Sequence, residues 1–300
     1  MTRGKIQDFI EYYGIKMLMS FIRLFPMSLA IKIGEILAVF VYYFIPIRRK
    51  YVIEALSLSF PQKTKKEIKS IIKAMHKNLA RTMTTLVFIP AMSDEKIKDM
   101  MKVDESVLAE TFKKGKGAVI MSAHFGNWEL TALSLAKRYP LSVIVAKQSN
   151  HHIDKVMNEM RTKKGYDIIS RDDKYAARKV LKVLKQNHFV ALLADQNESK
   201  NGVYVPFFGR LCSMPRGGAV FALRAECPLF TAFGVHKEDG SMEIELKEIP
   251  LPHSGDVLDD VKTINTIYSQ QLEEVVGKYP EQWLWFHKKW KTRPKASRYA

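Results

Sequence analysis

The chain has 300 residues, of which 47% are hydrophobic and 11% aromatic, with 15 Gly and 12 Pro. That composition excludes a disordered, collagen-like or low-complexity chain, and the length is ample for one large core. The 48 Lys and Arg against 31 Asp and Glu give a net charge of +17, which calls for an anionic partner: nucleic acid, an acidic membrane or an acidic protein.

Residues 9–47 are apolar and aromatic, with charges at intervals. The densest run, Ile36 to Ile47, is short for a span. Extending it back to Pro26 reaches a spanning length but takes in Lys32 and Glu35, which could pair three residues apart on a helix. A single span, an interfacial amphipathic helix and a buried core helix all remain open. Tyr42, Tyr43 and Arg48-Arg49-Lys50 favour membrane association, as an interfacial belt followed by a cytoplasmic stop. A signal peptide is disfavoured by Glu11, Glu35 and the lack of a small-residue cleavage site. The chain therefore divides into an N-terminal membrane-associated helical segment, 1–50, and a catalytic domain, 51–300.

Residues 64–88 predict a helix. Thr64 and Glu67 form a capping box, Ile68, Ile71, Ile72, Met75, Leu79, Met83 and Leu86 form one apolar stripe, and Pro90 ends it. From residue 104 the pattern alternates. Strands are expected at 117–123, 141–147, 166–170, 188–194, 229–236 and 242–248. Helices are expected at 126–138, 151–164, 174–186, 216–226 and 257–278. This order predicts an α/β fold with a mostly parallel central sheet flanked by helices.

The charge is concentrated. Residues 1–50 carry +5, including Arg3 and Lys5. Residues 61–81 carry +6, and residues 282–300 carry +6, including Lys289, Lys295 and Arg298. The rest is neutral. No dinucleotide, P-loop, zincin or nucleophile-elbow motif is present. Two cysteines, Cys212 and Cys227, make no disulfide scaffold and suggest no zinc site. His151 and His152 are adjacent, so they point apart on a helix and do not suggest a metal site.

The chemistry concentrates in Ser122-Ala-His124-Phe-Gly-Asn-Trp-Glu129, where an apolar strand ends and a helix begins. Ligands bind at the carboxyl ends of strands in open α/β sheets. A turn at Gly126 would bring Glu129 back towards the His124 imidazole. A carboxylate there fixes the tautomer and raises the basicity of the other ring nitrogen. Such a pair suits removal of a proton from a hydroxyl. The bland alternative is a satisfied histidine at a helix start, with Glu129 complementing the helix dipole.

The segment His124 to Glu129 resembles the His-x4-Glu motif of the bacterial lipid A biosynthesis acyltransferases, the late lauroyl and myristoyl transferases. That family belongs to the His-x4-Asp/Glu lysophospholipid acyltransferase superfamily. Ala194-Asp195-Gln196, Val205-Pro-Phe-Phe-Gly-Arg210 and Tyr279 to Pro294 (YPEQWLWFHKKWKTRP) resemble further blocks of the family in order. The resemblance covers nearly the whole chain. It implies transfer of a fatty acyl group from acyl carrier protein or acyl-CoA to a hydroxyl of a lipid A precursor or related glycolipid, with no cofactor and no metal. It implies His124 as general base, Glu129 as its partner, and Arg161, Asp195 and Arg210 in transition-state or substrate binding, with Arg216 a further anion-binding candidate outside the family block. The same resemblance implies the cytoplasmic side of the inner membrane and an anionic membrane as partner. The C-terminal bases would offer a docking surface for an acidic donor protein. After Arg210 the run Leu-Cys-Ser-Met-Pro departs from the small residues and threonine usual in the family, which leaves open another acceptor such as a phosphatidylinositol mannoside. A nucleic-acid-binding protein would explain the charge but neither the apolar N-terminus nor the His124/Glu129 motif.

Overall fold

The computed structural model describes residues 4–293, so the expectations placed on Arg3, Pro294, Lys295 and Arg298 lie outside the described residues. The N-terminal segment forms two helices, α1 (Lys5–Ile22) and α2 (Met27–Phe44), separated by a turn that Pro26 closes. Then come α3 (Arg49–Ser59), α4 (Lys65–Phe88) and α5 (Asp94–Asp99). The alternating part follows: β1 (Lys102–Val103), α6 (Ser106–Lys113), β2 (Ala118–Ser122), α7 (Trp128–Ala136), β3 (Leu141–Val145), α8 (His151–Lys163), β4 (Asp167–Ser170), α9 (Ala176–Lys185) and β5 (Phe189–Leu193). A hairpin, β6 (Val203–Phe207) and β7 (Arg210–Met214), precedes α10 (Gly217–Ala225), β8 (Leu229–His236), β9 (Met242–Ile249) and α11 (Val257–Lys278).

Seven strands form one sheet in the order β1-β9-β8-β2-β5-β3-β4. Only the β8–β9 pair is antiparallel, so the expected mostly parallel sheet is present. Side chains alternate faces along each strand. Val119 and Met121 of β2, with Val190 and Leu192 of β5, join a core shared with α3, α4, α9, α10 and α11. Ala118 and Ile120, with Phe189 and Ala191, join a second core against α5, α6 and α7. Burial on both faces explains why these strands read as continuous apolar runs.

Helix α4 is the pillar of the N-terminal half. Its expected capping box is formed: Thr64 N donates to Glu67 Oε2 at 2.7 Å and Glu67 N donates to Thr64 Oγ1 at 3.3 Å. The α1–α2 turn and α2 are fastened to α4, through Arg23 Nε on Val87 O (2.7 Å) and Arg81 on Glu35 (2.6 Å). The local Lys32–Glu35 pair considered from spacing is thus replaced, because Glu35 faces α4 and Arg81 brings two N–H donors to its Oε1. Helix α2 is long and apolar enough to cross a membrane by length and composition, yet little of it is buried. Ile36, Leu37, Phe40 and Phe44 are exposed on it, and Ile10, Met17 and Phe21 on α1. The buried-core reading of this segment is therefore set aside.

Candidate active site

Strands β2 and β5 are parallel neighbours with Ser122 opposite Leu193, and Ala194 N donates to Ser122 O at 2.9 Å. Carrying that register forward sets His124 beside Asp195, each two residues beyond its strand. The His124 Nδ1 lies 2.9 Å from Asp195 Oδ1. The other carboxylate oxygen, Oδ2, accepts a hydrogen bond from Trp283 Nε1 at 3.0 Å. Asp195 is buried. Burial alone would raise its pKa, but His124, Lys289 and the Trp283 N–H together hold it well below the usual carboxylate range. Burial likewise disfavours the imidazolium of His124, but Asp195, helped by Glu129 from further away, outweighs it and raises the His124 pKa above the ordinary histidine value.

Glu129 is where the structure departs from the expected dyad. It sits in the first turn of α7, and its carboxylate is bound by Arg161 and Tyr166 rather than by the imidazole. The Arg161 guanidinium makes two bonds to it, Nε at 3.2 Å and a closer Nη2, and Tyr166 Oη donates at 3.0 Å. Arg161 Nη1 also donates to Asn158 at 3.3 Å. The geometric reason is that α7 starts at Trp128, so Glu129 leaves the helix towards α8 and β4 while His124 turns to β5. Tyr166 was expected only as part of a strand, 166–170, not as a partner of Glu129. Burial raises its pKa well above the usual phenol value, so it remains a donor.

The connection between His124 and α7 is fixed by glycine. Gly126 has φ +52°, and a Cβ there would collide with Gly234 O of β8. Its own carbonyl accepts from Thr82 Oγ1 of α4 at 2.9 Å, and its N–H donates to Gln282 O at 2.8 Å. Asn127 caps α7, accepting from Leu130 N at 3.1 Å. The outer nitrogen of His124, Nε2, has the Gln196 amide 3.4 Å away, and Trp128 packs edge-on against the ring. Gln196 thus places a polar side chain beside the nitrogen that would face a substrate.

Arg210 lies apart from this cluster. Its Nη2 donates to Ser59 Oγ at 2.8 Å and to Ala55 O at 3.3 Å, and its guanidinium lies 3.5 Å from the Trp290 ring centroid. Those contacts tie the β6–β7 hairpin to α3 and the C-terminal segment, away from the His124–Asp195 pair where the expected acceptor-binding role would be exercised. The expected C-terminal docking surface is corrected in part. Lys288, Lys291 and Arg293 are exposed, but Lys289 is fully buried, and the segment from Gln282 to Thr292 runs inward over the site. Leu284 N donates to His124 O at 3.0 Å, Asn197 N donates to His287 Nε2 at 2.7 Å, and Thr292 N donates to Asn197 Oδ1 at 3.1 Å. Burial holds His287 below the ordinary histidine pKa, which suits an acceptor.

The arrangement is a buried carboxylate, an imidazole oriented by it with one nitrogen outward, and an adjacent neutralised Glu129–Arg161 pair. An oriented imidazole of this kind can serve as a general base towards a hydroxyl. Residues 3–292 match the profile of the bacterial lipid A biosynthesis acyltransferases. The chain is 23% identical over 225 residues to a phosphatidylinositol mannoside acyltransferase of Mycolicibacterium smegmatis, covering 73% of this chain and 72% of that one. It is 22% identical over 294 residues to a lipid A biosynthesis lauroyltransferase of Escherichia coli, covering 97% and 94%. It is 24% identical over 254 residues to a lipid A biosynthesis myristoyltransferase of Escherichia coli, covering 82% and 76%. With a match across nearly its whole length, and relatives that are acyltransferases throughout, the chain belongs to the bacterial lipid A biosynthesis acyltransferase family.

Proposed function

We propose that the protein transfers a fatty acyl chain from an acyl thioester, on acyl carrier protein or coenzyme A, to a hydroxyl of a lipid A precursor or related glycolipid. The observation that carries this reading is the His124–Asp195 pair at the ends of adjacent central strands. Asp195 holds the Nδ1–H tautomer, which leaves Nε2 as the base. Nε2 removes the proton of the acceptor hydroxyl as its oxygen attacks the thioester carbonyl. The tetrahedral intermediate then expels the thiolate, and the imidazolium returns the proton to sulfur. The bond formed is an ester C–O bond, the bond broken is the thioester C–S bond, and the enzyme ends unchanged. The Gln196 amide, 3.4 Å from Nε2, supplies a donor beside the reacting hydroxyl. Glu129, Arg161 and Tyr166 form the adjoining wall, their charges matched, so they support the site without drawing the proton.

The exposed apolar faces of α1 and α2 support attachment to a membrane, and the family likeness favours the cytoplasmic side of the inner membrane. Helix α2 packs along α4 through the Glu35–Arg81 ion pair. A spanning α2 would carry that pair into hydrocarbon. A charge at mid-bilayer costs on the order of 3 kcal/mol. An in-plane seat buries the apolar faces and leaves Lys66 and Lys69 to anionic headgroups. The 1–50 segment is then the membrane seat and the remainder the catalytic domain.

A second acceptor, a phosphatidylinositol mannoside, is supported by the likeness to the mycobacterial enzyme and by the Leu211-Cys212-Ser213-Met214 departure. Mass spectrometry of membrane lipids from cells with and without the protein separates the two. An added acyl chain on a lipid A precursor supports the first reading, and one on a mannosylated inositol lipid supports the second. Identical lipids in both cells would refute acyl transfer to either.

A further inference from the structure

Lys289 is 0% exposed, and its surroundings are unusual for a lysine. Its Nζ donates to the main-chain O of Asp195 at 2.7 Å and lies 5.7 Å from the Phe207 ring centroid. Among the described residues no carboxylate comes within ion-pair distance of it. A buried ammonium is expensive unless it is paired. Here its hydrogen bond and its field are directed at the one residue that orients the His124 imidazole. Trp283, six residues earlier, binds the carboxylate of the same residue.

Resting on the acyl-transfer reading above, we infer that Lys289 is a positioning residue for the reaction. It pins the Asp195 backbone and keeps the carboxylate charged, so that Asp195 presents Oδ1 to His124 and Oδ2 to Trp283. The basic C-terminal segment then serves the chemistry from inside the fold, besides whatever its exposed lysines contact outside. The remaining groups that face the pair are Glu129 from α7, Tyr268 from α11, Cys212 from β7 and His287 from the C-terminal segment. Tyr268 and Cys212 stay neutral, since burial raises both pKa values, and burial keeps His287 neutral too. That leaves Lys289, whose pKa burial lowers against the pull of Asp195, as the cation placed against Asp195.

The test is Lys289→Met, with Lys289→Gln as the variant that keeps a donor and loses the charge. Replacing a buried ammonium by an apolar side chain of similar length removes its desolvation cost. The expected Tm of Lys289→Met is therefore unchanged or higher, while kcat falls roughly tenfold to a hundredfold, as for a misplaced catalytic group. With the cation gone, Asp195 is less firmly held and its support of the imidazolium weakens, so the acidic limb of kcat/KM moves to lower pH. Lys289→Gln shows the same limb shift with a smaller loss of kcat. The His124 titration followed by NMR of the ring protons moves downward in both variants, and that readout does not depend on the acceptor. It therefore judges Lys289 even where the wild type proves inactive on every glycolipid tried, the result that would sink the acyl-transfer reading. Wild-type kcat in Lys289→Met with an unmoved His124 titration overturns the inference. So does a loss of activity that only tracks a loss of folded protein.

Discussion

Asp195→Asn is the sharpest perturbation of the site, because the two carboxylate oxygens have different obligations. Oδ1 meets His124 Nδ1 at 2.9 Å and Oδ2 accepts from Trp283 Nε1 at 3.0 Å. An asparagine can satisfy only one of them with oxygen. If its oxygen serves Trp283, its NH2 faces His124 Nδ1 and donates to it. The ring then carries its proton on Nε2, and Nε2 is no longer a base. If the amide flips, two N–H groups oppose each other at Trp283, and a buried donor is left unpaired at about 1–3 kcal/mol. Loss of the charge-assisted bond itself is worth roughly 2 kcal/mol. Removing a base from the correct tautomer costs about 10²–10⁴-fold in rate. Burial would also act on His124 unopposed by Asp195, so its pKa falls rather than rises. The expected result is a loss of kcat of ~10³-fold, with the remaining activity showing its acidic limb at lower pH than the wild type. Steady-state transfer across pH, with release of free thiol as the readout, checks both. A variant that keeps wild-type kcat and the wild-type limb would refute the orientation of His124 by Asp195.

Glu129→Gln separates that account from a His124–Glu129 dyad. It leaves the Arg161 guanidinium largely buried without its carboxylate, which costs about 3 kcal/mol and appears first as a lower Tm. The acidic limb moves less than in Asp195→Asn, and equal limb shifts in the two variants would restore the dyad. Phe40→Glu with Phe44→Glu places charges on the exposed apolar face of α2. Sedimentation with anionic vesicles should fall while the far-UV spectrum and Tm hold, and undiminished binding would remove the in-plane seat.

Much of the fold is legible because the central strands are buried on both faces and read as apolar runs, as at 118–122 and 189–193. The β6–β7 hairpin is hard to read for a physical reason. Its turn residues, Phe208 and Gly209, both have positive φ, and a phenylalanine is not a turn signal. The strand before it also holds Pro206, which reads as a break. The sequence singles out both His124 and Asp195, but their pairing depends on β5 lying beside β2, a sheet order that local pattern does not carry. Sequence proximity instead offered Glu129, whose true partners come from 161 and 166. A clue was available in the matching strand endings, Ser122-Ala-His124 and Leu193-Ala-Asp195, which imply equal offsets. Lys289 looked like surface charge for the same reason, and Arg210 like an acceptor-binding arginine. Composition counts a cation but does not say which way its side chain turns.

The central claim is that His124 is the base for transfer to a lipid hydroxyl. The direct measurement uses purified protein on anionic vesicles, an acyl thioester and a glycolipid acceptor, with mass spectrometry of the acceptor and titration of the released thiol. The wild type should add one acyl chain per thiol released. His124→Ala should retain its Tm and vesicle binding and lose about 10³-fold or more of the transfer rate. Wild-type transfer by a folded His124→Ala protein, or an acyl group found covalently on the enzyme, would contradict the account.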